Sequence, residues 1–297
     1  MKILVTGSSG LIGTKVTQDL TKKFKNIFSI YHNSHPEYGI PVHLDLTKSD
    51  DVLKTLEKIK PDVIIHLAAL TNVDTCEEDP DLAFKINVES TMSICKFVEK
   101  NNVYLIYVST DYIFDGKNGM RHEEDDAIPT TIYGKTKLEG EKIVKNITTK
   151  WCIVRTSTPF GYSKTKKNFL LWVVQSLLQH KEISIVTDQY TSPVYIPNFS
   201  SMLEEIIEKQ ICGVIHLTGA SKISRYELAV LISKKTFLDT NLIKPILSNE
   251  MTWKIPRPQD CSLDVSKAST ILDNSPNTLS LSLDLFVNDL KISGILK

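Results

Sequence analysis

The chain has 297 residues, long enough for one large α/β domain or for a larger and a smaller domain that share a cleft. Lys and Arg equal Asp and Glu at 35 each, and 41% of the residues are apolar, so nothing favours a nucleic acid polymer or a membrane surface as partner. The five cysteines lack paired spacing, which indicates neither a disulfide framework nor a metal site. The chain opens on a strand-like run and has no apolar run of about 18 residues, so we expect a cytoplasmic protein.

The first predicted unit is a strand, a glycine-rich turn and a helix. The strand Ile3 to Thr6 is followed by Gly7, Gly10 and Gly13, and a helical pattern then continues to about Phe24. Glycines let the backbone pass close to a pyrophosphate, and the helix N-terminus offers free N–H groups to the phosphates. The turn therefore predicts a dinucleotide site.

The second predicted strand, Ile27 to Tyr31, bears on the choice of dinucleotide. An acidic residue at its end would select NAD, but His32 and Asn33 follow instead. Both side chains can donate to a 2′-phosphate, although no Arg stands there to grip it. The pattern favours NADP(H) and leaves NAD(H) open.

Near-continuous apolar strands then alternate with helices. This alternation is typical of a parallel sheet that is covered on both faces, so we predict a Rossmann-type doubly wound α/β fold. The predicted elements are a strand over 42–46, a helix over 48–58, a strand over 63–67, a long helix over 81–101 and a strand over 103–108.

Small and acidic residues follow two of these strands. Asp45 stands at the end of the predicted strand over 42–46, where a carboxylate can accept from an adenine amino group. Ala68, Ala69 and Thr71 follow the next strand, and small side chains there leave room for a cofactor across the strand ends.

A Tyr-x-x-x-Lys pair carries the predicted chemistry. Tyr133 and Lys137 lie four residues apart on a predicted helix over 131–146, so both can point into one pocket, and Thr110 stands at the end of the preceding strand. We expect the Lys137 ammonium to lower the pKa of the phenol, which then exchanges a proton with a carbonyl or alcohol oxygen. Thr110 would hydrogen-bond the same oxygen, and the chemistry that fits is hydride transfer.

The alternation weakens after Arg155. We predict an NADP-binding Rossmann domain with the catalytic residues over 1–155 and a mostly substrate-binding, smaller α/β portion over 156–297, some segments of which return to the first domain. The predicted elements of this portion are helices over 167–179, 197–208, 224–237 and 279–290, and strands over 183–186 and 213–217.

Two longer runs carry a family resemblance: Ser-Thr-Asp-Tyr-Ile-Phe-Asp-Gly over 109–116 and Tyr-Gly-Lys-Thr-Lys-Leu-Glu-Gly-Glu over 133–141. With the Gly-x-x-Gly-x-x-Gly turn, Asp188-Gln189 and Arg257-Pro258, they make the chain resemble the extended short-chain dehydrogenase/reductases. Within that group it is most similar to the dTDP-4-dehydrorhamnose reductases, which reduce a nucleotide-linked 4-keto-6-deoxy sugar with NADPH.

The resemblance implies a set of site residues. The catalytic residues are Thr110, Tyr133 and Lys137, with Asp111 as a helper. Lys137 also holds the nicotinamide ribose. The substrate-binding residues are Thr158, Asn168, Gln189 and Arg257. The cofactor contacts are Gly7, Gly10, Leu11, Ile12, Gly13, His32, Asn33, Asp45, Leu46, Ala68, Ala69, Thr71, Tyr133 and Lys137.

Two departures from the family pattern lie on the substrate side. Thr158 and Pro159 stand where the reductases usually place a Trp that faces the sugar, and Thr191 stands where Gly is usual. The regulatory β subunit of methionine adenosyltransferase, which binds NADP and a partner enzyme, shares the two long runs and also lacks that Trp. It stays open as a non-catalytic alternative.

A sugar-nucleotide epimerase or dehydratase would reuse Tyr133 and Lys137, but dehydratases usually carry Asp-Glu where this chain has Asp111-Tyr112. The implied partners are a nucleotide-sugar substrate, with a homodimer left open, and a methionine adenosyltransferase in the non-catalytic alternative.

Overall fold

Seven parallel strands form the central sheet of the computed structural model, which describes residues 1–296. Their order along the sheet is β3-β2-β1-β4-β5-β6-β11, so the strand order reverses between β1 and β4. The bounds are β1 Lys2–Thr6, β2 Asn26–Tyr31, β3 Ile40–His43, β4 Val63–His66, β5 Tyr104–Thr110, β6 Trp151–Thr156 and β11 Gly213–His216.

Helices cover both faces of this sheet, because alternate residues of each strand point to opposite sides. Ile3, Ile65 and Ile106 pack into one cluster with α1 and α8, whereas Leu4 and Leu105 pack on the other side with α2, α5 and α6. The predicted doubly wound fold is confirmed. The helices are α1 Leu11–Lys23, α2 Ser49–Ile59, α3 Val73–Glu78, α4 Pro80–Phe84, α5 Ser90–Asn101, α6 Ile132–Lys145, α7 Phe169–Leu178, α8 Ile196–Lys209, α9 Arg225–Lys235, α10 Ser266–Ile271 and α11 Leu279–Ile292.

Two predicted elements differ from the structure. The strand predicted over 42–46 is Ile40–His43, and Asp45 lies in the turn after it, where its carboxylate accepts from Thr47. The long helix predicted over 81–101 is interrupted by a π-helical turn, Lys85–Glu89. In that turn Asn87 accepts from the Leu70 backbone and donates to Thr136, so its side chain joins the turn to helix α6.

The residues after β6 contribute mainly to two hydrophobic clusters. Strand β11 joins the central sheet, and helices α8 and α10 pack in the cluster on one of its faces. Helices α7, α9 and α11 form a separate cluster, and the residues after β6 also contribute three short strand pairs. The division of the chain at residue 155 stays a prediction. The short strands are β7 Pro159–Phe160, β8 Ile183–Val186, β9 Tyr190–Thr191, β10 Val194–Tyr195, β12 Ile223–Ser224 and β13 Ile243–Ile246.

Across residues 1–296, none of the helices combines the length and apolar character that a bilayer span demands.

Candidate active site

The glycine-rich turn connects β1 to α1 with a backbone that side chains would disrupt. Gly7 has φ +66°, and a Cβ on it would lie 2.9 Å from the backbone nitrogen of Ala68, which follows β4. A Cβ on Gly13 would lie 2.1 Å from the carbonyl oxygen of Gly7. Gly10 precedes α1 without a capping side chain, and the first turn holds no acidic residue. The helix N-terminus is thus free to receive an anion.

A cavity of about 870 Å³ lies at the carboxyl ends of β1, β4 and β5, where the strand order reverses. The cavity brings together every predicted cofactor-binding and catalytic residue and one of the four predicted substrate residues, Thr158. Those lining residues are Gly7, Gly10, Leu11, Ile12, Gly13, His32, Asn33, Asp45, Leu46, Ala68, Ala69, Thr71, Thr110, Asp111, Tyr133, Lys137 and Thr158.

Helix α6 carries Tyr133 and Lys137 into this cavity, and two glycines allow its close approach. A Cβ on Gly134 would lie 2.1 Å from the carbonyl oxygen of Tyr112, and one on Gly140 would lie 2.1 Å from the Tyr107 hydroxyl. The Thr131 side chain accepts from the Gly134 backbone and fixes the start of the helix. The first turn of α6 is thereby held against the end of β5.

Burial has the largest effect on the pKa values of Tyr133 and Lys137. It raises the pKa of Tyr133, which the neighbouring Thr110 hydroxyl opposes, and it lowers the pKa of Lys137 to about 7 against the charge of Glu141. The Lys137 Nζ lies 4.0 Å from the centroid of the buried Tyr107 ring. The structure does not show the expected lowering of the phenol pKa by the ammonium: burial raises that pKa, and the neighbouring group that lowers it is Thr110.

Asp111 is buried beside Thr110, and among residues 1–296 its carboxylate has hydrogen bonds with two hydroxyl groups. Thr110 donates to one carboxylate oxygen at 2.9 Å, and Ser157 donates to the other at 2.6 Å. Burial raises the pKa of Asp111 to about 6, and the two hydroxyls lower it only in part.

Thr158 and Thr191, the residues at the two departures from the family pattern, are in contact. The hydroxyl oxygens of Thr158 and Thr191 are 2.5 Å apart, and Thr191 also lies 2.7 Å from the Ser157 hydroxyl. Thr158 has φ +41°, which is rare for a β-branched residue. The hydroxyl of Thr158 bonds to that of Thr191, and the Thr158 carbonyl accepts from the Val194 N–H at 3.3 Å, so two contacts hold this conformation.

The other three predicted substrate residues lie away from the large cavity. Asn168 caps α7 and donates to the Gly161 carbonyl, and Arg257 pairs with Asp74 at 2.7 Å. Gln189 lines a second cavity of about 180 Å³.

The sequence reasoning missed several lining residues. Phe169, Trp172, Trp253 and Arg225 line the second cavity, and Lys166 and Lys167 line the large one. The run Lys164-x-Lys166-Lys167 was a visible signal for the lysines. The aromatic residues gave none, because they come from distant parts of the chain.

The glycine turn at the switch point, together with Thr110, Tyr133 and Lys137 in the same cavity, defines a dinucleotide-binding protein of the short-chain dehydrogenase/reductase class. The family model described as the RmlD substrate binding domain matches residues 1–292. The chain therefore belongs to this family.

Reductases are among its relatives of known sequence and structure. The chain is 29% identical over 288 residues to a dTDP-4-dehydrorhamnose reductase of Aggregatibacter actinomycetemcomitans, covering 93% of this chain and 95% of that protein. A hypothetical dTDP-4-dehydrorhamnose reductase from Sulfolobus tokodaii superposes with a TM-score of 0.87 at 34% identity, over 95% of this chain and 99% of that one. A Bacillus anthracis dTDP-4-dehydrorhamnose reductase in complex with NADP superposes with a TM-score of 0.84 at 27% identity, over 97% and 100%.

A subunit of a methionine adenosyltransferase is also similar. The methionine adenosyltransferase 2 subunit beta of Pongo abelii is 28% identical over 278 residues, covering 91% of this chain and 82% of that protein.

Proposed function

We propose that the chain catalyses the NADPH-dependent reduction of a nucleotide-linked 4-keto-6-deoxy sugar, as a dTDP-4-dehydrorhamnose reductase in dTDP-L-rhamnose biosynthesis. The convergence of the glycine turn with Thr110, Tyr133 and Lys137 in one cavity carries the proposal. The similarity to named reductases over nearly the whole chain supports it.

The residues at the β-strand ends fit a dinucleotide. The turn from Gly7 to Gly13 and the free N-terminus of α1 would hold the pyrophosphate, and Asp45 would accept from the adenine. No carboxylate stands at the end of β2, where His32 and Asn33 line the cavity, which favours NADP(H) over NAD(H). The bound cofactor would supply the hydride.

Three side chains would have separate roles in the reduction of the sugar carbonyl: Tyr133, Thr110 and Lys137. Because burial raises the pKa of Tyr133, the phenol keeps its proton until the oxygen takes it. Thr110, which lines the same cavity as Tyr133, would orient that oxygen. Lys137 would stabilise the phenolate and hold the nicotinamide ribose, with Glu141 one turn away supporting its charge.

The second cavity has the chemistry to take the base of the nucleotide. Its walls include Phe169, Trp172 and Trp253, and the Arg225 guanidinium carbon lies 4.9 Å from the Phe169 ring centroid. Gln189 would hydrogen-bond the base there.

Arg257 and Asn168, the two remaining predicted substrate residues, would support the second cavity from outside it. The Arg257 guanidinium carbon lies 5.7 Å from the Trp253 ring centroid, so Arg257 would steady that wall. Asn168 would act indirectly, because its amide donates to the Gly161 carbonyl and so holds the loop between the two residues.

The test is NADPH oxidation with dTDP-6-deoxy-4-keto-L-lyxo-hexose, comparing the wild type with Tyr133→Phe. We expect turnover by the wild type and a loss of roughly 10²–10⁴-fold in the variant, the usual contribution of a positioned proton donor. NADPH affinity, measured by fluorescence, should change little.

A different outcome would favour the regulatory alternative. If the wild type binds NADPH, turns over none of the 4-keto sugar nucleotides and binds a methionine adenosyltransferase, the reductase proposal is lost. Sedimentation of the protein alone would test the homodimer, which stays a prediction.

A further inference from the structure

A file of hydroxyl groups leads from the large cavity to Asp111. It starts at Thr158 on the cavity wall, continues through Thr191 at 2.5 Å and Ser157 at 2.7 Å, and ends on the carboxylate at 2.6 Å. Ser157 is 1% exposed and Thr191 is 2% exposed, so the middle of the file is shut off from bulk solvent.

The donors of this file all point the same way when Asp111 is ionised. A carboxylate only accepts, so the single hydroxyl proton of Ser157 goes to Asp111. Ser157 must then accept from Thr191, which in turn accepts from Thr158. The file is therefore oriented from the cavity towards the carboxylate.

The other carboxylate oxygen continues the file to the phenol. It accepts from Thr110 at 2.9 Å, and Thr110 lines the same cavity as Tyr133, close enough for its hydroxyl to lower the phenol pKa. The remaining charged or titratable groups around Asp111 are Arg225, Cys261 and Tyr112. None of these three has a hydrogen bond with the carboxylate among the described residues, so hydroxyls are its side-chain hydrogen-bonding partners.

We propose that this file, Thr158–Thr191–Ser157–Asp111–Thr110, returns a proton to Tyr133 after each reduction. The inference rests on the proposed function, in which the phenol gives its proton to the sugar oxygen. The ionised Asp111 takes a proton from Ser157, and Thr110 then passes its hydroxyl proton to the phenolate and takes that proton from the Asp111 carboxyl. Ser157 recovers its proton from Thr191, Thr191 from Thr158, and Thr158 from solvent in the cavity, so one proton enters for each one delivered to the sugar and Asp111 ends ionised as it began.

Burial is consistent with this role for Asp111. Its pKa is raised to about 6, so the carboxyl exchanges a proton near neutral pH more readily than an exposed Asp. The position of Thr158, with its strained backbone at the cavity wall, gives the file its entrance.

The decisive variant is Thr191→Val, which removes the middle hydroxyl at nearly constant volume and leaves the bond between Ser157 and Asp111 intact. In stopped-flow NADPH oxidation with the 4-keto sugar, we expect the first turnover to stay near the wild-type rate, because Tyr133 starts protonated. Later turnovers should slow by roughly 10–100-fold, which lies at or below the usual contribution of a positioned proton donor, and leave a burst of about one NADPH per site.

Two comparisons complete the test. Thr191→Ser keeps a hydroxyl and should restore the later turnovers lost in Thr191→Val. Ser233→Ala removes an equally buried hydroxyl that donates to the Leu238 carbonyl in the other cluster, and it should show no burst.

Two outcomes would overturn the proposed proton transfer through the file. Unchanged steady-state turnover in Thr191→Val would show that the file is not used, and equal slowing of first and later turnovers would show a positioning effect. Absence of turnover in the wild type would instead end the proposed function, and the file with it.

Discussion

Asp111, Tyr133 and Lys137 lie in one cavity, and burial moves the pKa of each towards the neutral form of the side chain. The pKa of Asp111 is raised to about 6, that of Tyr133 is raised, and that of Lys137 is lowered to about 7. The phenol therefore keeps its proton at neutral pH, whereas Asp111 and Lys137 can each exchange a proton near that pH.

The raised pKa of Asp111 predicts a pH-dependent effect of Asp111→Asn on stability. Between 3.8 and about 6 the folded wild type binds more protons at this residue than the unfolded chain, so its stability falls as the pH rises through that window. Relative to the wild type, the variant should gain about 2 kcal/mol of unfolding free energy between pH 4 and pH 7, at about 1.4 kcal/mol per pKa unit, because the unfolded carboxyl is already partly ionised at pH 4. Urea unfolding at the two pH values measures the difference.

The exposed Asp50 on α2 supplies the control, since Asp50→Asn should show nearly the same offset at both pH values. An Asp111→Asn offset that does not change with pH would mean that the carboxyl is not held in a raised-pKa environment.

The sequence located the reacting residues better than it predicted their electrostatics. The spacing of Tyr133 and Lys137 indicates that they are neighbours, but it says nothing about solvent, and desolvation reversed the expected shift of the phenol pKa. Ser157 was not selected, because its contact with Asp111 joins residues 46 positions apart in the sequence.

At the scale of single elements, the turn before α1 depends on the absence of side chains. Gly13→Ala would place a Cβ 2.1 Å from the Gly7 carbonyl oxygen and force the turn open. Overpacking of this kind costs about 1–3 kcal/mol, which corresponds to a Kd for NADPH roughly ten- to a hundredfold higher if the turn carries the cost. Fluorescence titration measures the Kd.

Gly161→Ala is the matched control, because its Cβ would meet Ile196 at an ordinary 3.4 Å. Equal NADPH affinities for Gly13→Ala and the wild type would show that the turn does not hold the dinucleotide.

Helix α6 is fixed to β6 by a buried ion pair. Arg155 donates to both carboxylate oxygens of Glu141, at 3.0 and 2.9 Å, and to the Glu123 carbonyl. Glu141→Ala leaves Arg155 buried without its charge partner and should cost about 3–5 kcal/mol of unfolding free energy. Glu139→Ala breaks the exposed pair with Lys142 on the same helix and should cost less than about 1 kcal/mol.

Chemical denaturation of the two α6 variants measures this contrast. Similar losses in both would mean that the buried pair does not anchor the helix that carries Tyr133 and Lys137.

At the scale of the whole molecule, the two parts of the chain share one core. Phe199, Leu203 and Ile206 of α8 and Ile215 of β11 pack in the same cluster as Ile3 and Val154. A fragment of residues 1–155 would expose that face and the edge of β6, so we expect it not to fold cooperatively. A cooperative thermal transition of the fragment, followed by circular dichroism, would contradict this expectation.

The sequence predicted the doubly wound sheet because its strands are apolar throughout and alternate with amphipathic helices. The cavity at the switch point followed from the same pattern, since the residues after β1, β4 and β5 must meet at one edge. The second cavity did not follow, because Phe169, Gln189, Arg225 and Trp253 meet only through long-range packing. The substrate side was therefore less predictable than the cofactor side.

The central claim, hydride transfer to the sugar assisted by Tyr133, is tested most directly by isotope transfer. The protein is incubated with dTDP-6-deoxy-4-keto-L-lyxo-hexose and NADPH deuterated at the transferable C4 position, and the sugar product is analysed by mass spectrometry and NMR. We predict deuterium at C4 of the product with the wild type and little or none with Tyr133→Phe. Deuterium retained on NADPH that is bound to the wild type, with the keto sugar recovered unchanged, would contradict the claim.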